Sequence, residues 1–184
     1  MSLIQTSISQ NILPAHLGPR RLPIHRHFAQ DLSRVAQLII GLDSDVLGLS
    51  LELSDKGQVK ALAFSTTKEA HHISFDISAR GKGKQMSSDN DLSDLLSGRR
   101  GLLAGFSMAR IALHMHRELG YHVSGVDLST LCSPSTRCPW YPAEYLSKKV
   151  VHDVDRFSVN GLWHSDRGDQ AVERVCLRAW ISAM

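Results

Sequence analysis

No run of about 20 apolar residues occurs in this 184-residue chain, which excludes a helical membrane span from the sequence. The longest apolar stretches, around residues 35–42 and 101–113, are broken by polar or charged side chains. Residues 1–13 carry no basic residue ahead of an apolar run and no small-residue cleavage pattern, so no secretory signal is expected and the chain reads as cytoplasmic. Cysteine is scarce: Cys132, Cys138 and Cys176 are an odd number in a chain able to build its own core, which argues against a disulfide scaffold and for free thiols. Charge of one sign is also lacking, because the formal net charge is only +3. Positive charge is instead local, at Arg20, Arg21 and Arg26 and again at Arg80, Lys82 and Lys84. No internal repeat or low-complexity tract is present.

What is there suffices for a folded domain. A content of 42% hydrophobic and 21% charged residues is that of an ordinary globular protein, and the length suits one domain. Pro14, Gly18, Pro19 and Pro23, with no sustained period, mark residues 1–27 as an extended N-terminal arm ahead of a single globular domain over residues 28–184. Phe28, Leu32, Val35, Leu38, Ile39 and Leu42 recur at spacings of three and four, the core face of an amphipathic helix. Leu47, Leu49, Leu51 and Leu53 alternate with Gly48, Ser50 and Glu52, which predicts a strand with one buried face. Ser54-Asp55-Lys56-Gly57 has turn chemistry, a second strand follows from Gln58, and Ile73, Phe75 and Ile77 alternate as a third. His71 and His72 are expected to point one inward and one outward.

From Leu92 to Leu113 the apolar residues fit helical spacing, with a break near Gly98 and a stop at Gly120. A short strand over residues 121–128, a helix entered through Pro142 and a last helix complete the order. In that last helix Val172, Val175, Cys176, Ala179 and Trp180 form the core face against Glu173, Arg174 and Arg178. The predicted fold is α+β: a small antiparallel meander, about residues 46–78, packed with helices on its flanks.

Ligand-type side chains concentrate in the C-terminal third. Imidazole and carboxylate are the ligands of divalent metals, so His152, Asp153, Asp155 and His164 are the candidate metal ligands, with Asp153 and His164 as candidate catalytic groups. Arg80, Lys82 and Lys84, interleaved with Gly81 and Gly83, are the candidate binding residues for phosphate, although the loop lacks the Gly-Lys-Ser/Thr ending of a P-loop. They suit an anionic partner, a small molecule or a nucleic acid. Cys138 precedes the helix entered at Pro142, where a thiolate would be favoured, but without a paired base it reads as structural.

His114-Met115-His116, with Tyr145 and Lys148 downstream, resembles the HUH nucleases of rolling-circle replication, which implies a histidine-held metal and a tyrosine that attacks a DNA phosphodiester. The triplet falls in a helical pattern, however, where residues two apart diverge by about 200° and cannot share a metal. The stretch from Leu162 to Gln170 resembles part of a transposase integrase core, a pattern that also needs an aspartate on an upstream strand and a glutamate well downstream. The expectation is a small soluble enzyme acting on an anionic, phosphate-containing substrate with a His/Asp-bound divalent metal. The alternatives are a noncatalytic nucleic-acid or acidic-ligand binding protein and a protein-interaction subunit.

Overall fold

The alternating leucines do form a strand, and a far larger sheet assembles around it. The computed structural model describes residues 2–8, 12, 21–42, 44–75, 90–131, 133, 141–150, 154–164 and 171–184, the side chain of His164 excepted. Its strands are β1 (Ser2–Ser7), β2 (Arg21–Phe28), β3 (Val46–Leu53), β4 (Val59–Ser65), β5 (Ala70–Ser74), β6 (Leu102–Gly105) and β7 (Val126–Asp127). They make one seven-stranded sheet in the order β1-β2-β5-β4-β3-β6-β7. Neighbours β1 and β2, β5 and β4, and β4 and β3 run antiparallel. The pairs β2 with β5, β3 with β6, and β6 with β7 are parallel.

The predicted meander is therefore present as β3-β4-β5, but it is the middle of a mixed α/β sheet and not a small antiparallel sheet of its own. Two features hid the rest. The arm carries β1 and β2, which pair with each other, and Pro23 sits opposite Gln5 ahead of the β2 residues that pair with β5. The expected long helix is split into α2 (Asn90–Leu96), β6 and α3 (Met108–Leu119). Gly98 and Gly101 take φ of +75° and +153° between α2 and β6, conformations open to glycine. Gly120 ends α3 in the left-handed conformation with φ +74°, as its position in the sequence predicts.

Helices cover both faces of the sheet. On one side, α1 (Leu32–Ile40), α2 and α3 bury Leu32, Val35, Ile39, Leu92, Leu95 and Met115 against Leu49, Leu62, Phe64 and Ile73. On the other, α4 (Leu128–Leu131), α5 (Pro142–Lys149), α6 (Arg156–His164) and α7 (Ala171–Ser182) enclose Trp180, Ala179, Val175 and Leu146 with Ile24, Ala63 and Ala104. This double cover corrects three sequence expectations. Both His71 and His72 are buried, and β3 is buried on both faces from Leu47 to Glu52, because α7 lies across the face that Gly48, Ser50 and Glu52 present. Arg178, expected on the solvent face of α7, is only 5% exposed. Among the described residues no helix is long and apolar enough to cross a membrane.

Candidate functional site

A cleft of about 340 Å³ opens beside β3 and α3, where the topology converges. Parallel strands β3 and β6 end on the same side, and the chain turns straight from β6 into α3, the arrangement that leaves ligand-binding crevices at the carboxyl ends of parallel strands. Ser50, Leu51 and Leu53 supply the strand wall, and Phe106, Ser107, Arg110, Ile111 and His114 supply the wall made by the start of α3. Trp163 from α6 and Arg178 from α7 complete the described lining.

Local hydrogen bonds fix the entrance to α3. Ser107 adopts φ 59° and ψ 46°, a left-handed conformation unusual for a residue with a side chain. It brings the Ser107 and Met108 N–H groups onto the Asp127 carboxylate at 3.2 and 3.0 Å. The same carboxylate accepts from the Ser129 N–H at 3.0 Å and the Ser129 hydroxyl at 2.6 Å. Asp127 thus satisfies orphan donors at a helix start, where negative charge is favoured. Phe106 packs edge-on against Tyr145 and Trp163, with ring centroids 5.5 and 5.3 Å apart, so α5 and α6 are keyed to the cleft by aromatic contact.

The charge of the cleft is positive. The Arg178 side chain passes under β3 and donates from Nη2 to the Leu51 carbonyl at 3.0 Å, which anchors its guanidinium in the wall. Arg110 is exposed on the facing helix. His114, one turn further along α3, has Nδ1 3.7 Å from Glu118 Oε1. Burial raises the Glu118 carboxyl, but the Val59 N–H, Arg117 and His114 outweigh it and hold it below the ordinary range. No aspartate or glutamate is among the described lining residues.

The residues singled out from the sequence fall differently. Arg80, Lys82, Lys84, His152 and Asp153 lie outside the described residues, as do Cys132 and Cys138, and His164 ends α6 with its side chain undescribed. Asp155 is exposed immediately ahead of α6 and acts as a cap: its Oδ1 accepts the Phe157 N–H at 3.0 Å and its Oδ2 the Ser158 hydroxyl at 2.6 Å. Those bonds hold its carboxyl below the usual range. His114 and His116 lie on α3 and diverge as the helical geometry requires, His114 toward Glu118 and the cleft and His116 toward the His122 ring. Cys176 is buried, and burial pushes its thiol far above a reactive range. Among the described residues no three His, Cys, Asp or Glu side chains converge as a cation site.

No family model matches this chain, and no curated protein matches it. Solved structures do match. Over 85% of this chain and 42% of the other, Escherichia coli RNase D, an exoribonuclease involved in structured RNA processing, superposes with a TM-score of 0.59 at 10% identity. The catalytic core of RRP6 from Trypanosoma brucei gives 0.57 at 11% identity, over 86% of this chain and 44% of that one. The Aedes aegypti Nibbler EXO domain gives 0.55 at 12% identity, over 86% and 84%. The chain thus shares the mixed α/β fold of these structures, and it spans less than half the length of the RNase D and RRP6 chains.

Proposed function

We propose that this protein binds single-stranded nucleic acid through a phosphate group held in the cleft. The observation that carries the reading is the meeting of Arg110 and Arg178 in one concave site on an exonuclease fold. Guanidinium groups present planar, permanently charged donors that match phosphate oxygens. The Ser50 and Ser107 hydroxyls add neutral donors, and Trp163 offers an aromatic ring on which a base can stack. A cleft of about 340 Å³ admits a strand end and not a duplex.

Fluorescence anisotropy with a fluorescein-labelled single-stranded RNA tests this. Charged hydrogen bonds contribute roughly 1.5–3 kcal/mol, so Arg110→Ala should weaken binding about 10-fold or more. Arg34→Ala, on the exposed side of α1, should bind as the unmodified protein does. An Arg110→Ala variant with undiminished affinity contradicts the reading, as does absence of binding at low salt.

A second reading keeps the enzyme expected from the sequence, a metal-dependent nuclease in which His152, Asp153, Asp155 and His164 hold the cation, Asp153 and His164 act on the substrate, and Arg80, Lys82 and Lys84 grip phosphate. The fold favours it, and so does the position of His164 directly after the cleft residue Trp163.

A further inference from the structure

Nucleases that cut with divalent cations hold them with clustered carboxylates, neutral imidazoles and the substrate's own phosphate oxygens. The described cleft does not fit such a cation. The carboxylates Glu52 on β3, Asp127 on β7 and Glu118 on α3 are engaged elsewhere. Glu52 follows Ser50 by two positions on β3, yet its Oε1 accepts the Lys60 ammonium at 2.6 Å and its Oε2 lies 3.9 Å from His72 Nε2. Asp127 accepts four hydrogen bonds in capping α3 and bracing Ser129. Glu118 accepts from the Val59 N–H at 2.8 Å and from Arg117 at 3.1 Å.

What remains at the cleft is Arg110 and Arg178, with His114 the only described lining side chain of a common metal-ligand type. A guanidinium has no lone pair for a metal and stays protonated at any working pH, so two of them repel a divalent cation from the place where it would be needed.

We infer that this cleft holds nucleic-acid phosphate without a divalent cation, the two guanidinium groups supplying the positive charge that a metal-dependent nuclease takes from its ions. The cleft therefore retains a strand without cutting it. This rests on the phosphate-binding reading and adds that the site is a holding site on an exonuclease fold.

The test uses the full chain and the labelled RNA in three buffers of equal ionic strength, containing EDTA, Mg²⁺ or Mn²⁺. The expected result is one affinity in all three and full-length RNA on a denaturing gel. Affinity at least 10-fold higher with Mn²⁺, loss of binding in EDTA, or RNA shortened in either metal buffer would overturn the inference while leaving phosphate binding intact. RNA binding absent in every buffer would overturn the phosphate reading itself. A separate arm needs no RNA: titration of the free protein with Mn²⁺, followed by electron paramagnetic resonance, should give the same uptake for the unmodified chain and for His114→Ala. Saturable uptake that His114→Ala abolishes would place a cation in the cleft and overturn the inference even where RNA binds.

Discussion

Gly48→Ala is expected to lower stability by about 3 kcal/mol, the upper end of overpacking costs, and to depress the melting temperature by roughly 6–12 °C. The cause is the close crossing of α7 over β3. A Cβ at position 48 would sit 1.7 Å from the Ala179 carbonyl oxygen and 2.8 Å from the Ala183 nitrogen. Both are backbone atoms, so no rotamer change relieves the contact and the helix itself must move. Gly161 on α6 provides the control, since an added Cβ there meets nothing within 4 Å. Gly161→Ala should be neutral or gain up to about 1 kcal/mol from better helix propensity. Thermal unfolding followed by circular dichroism compares the two, and equal melting temperatures for Gly48→Ala and the unmodified protein would show that α7 does not press on β3. Because α7 carries Arg178, Gly48→Ala should also weaken RNA binding without touching the cleft.

Stability should fall by roughly 2 kcal/mol between about pH 7.5 and pH 4.5, through histidines buried where β2 meets β5. His27 Nε2 lies 3.2 Å from His71 Nδ1, and the His71 ring stacks on those of His27 and His25. Burial, then the neighbouring His71 and His25, push the His27 imidazole down from 6.5 to about 4. Burial and His25 likewise lower His71, although Glu69 opposes them. The unfolded chain takes up protons below pH 6.5 that the folded chain refuses. The stability is therefore fully present above that value and is lost as pH falls toward about 4. Glu52 and Glu118, held below their ordinary 4.5, withdraw stability only at still lower pH, which leaves the upper window to the histidines. Urea unfolding at the two pH values should give a smaller difference for His27→Gln than for the unmodified chain. A flat profile in the unmodified protein contradicts the account.

The sequence shows best those elements whose burial has a simple period. Alternation from Leu47 to Leu53 and the turn at Ser54–Gly57 make β3 and β4 readable, and the spacing of Leu32, Val35 and Ile39 makes α1 readable. Strand β6 is not readable. Its four residues pair in parallel with β3 far away in sequence, and Leu102 and Leu103 sit in register with the helical residues on either side. The edge pair of β1 and β2 is masked by prolines that suggest an arm. The cleft is not readable, because Arg110 and Arg178 look like polar residues on amphipathic helices, and nothing local says that one of them is held by a strand carbonyl. The one available signal was the surroundings of Arg178, placed between Leu177 and Ala179 in a mostly apolar run from Val175 to Ile181.

The central claim, that two guanidinium groups hold nucleic-acid phosphate in the cleft, is tested most directly by the salt dependence of RNA binding. For single strands each phosphate neutralised contributes about −0.7 to the slope of log affinity against log salt concentration. With one phosphate held by both guanidinium groups, the unmodified protein should show a slope of about −0.7 or steeper, and Arg110→Ala a shallower one. A slope unchanged by Arg110→Ala would contradict the claim, because the phosphate would then be bound somewhere other than this cleft.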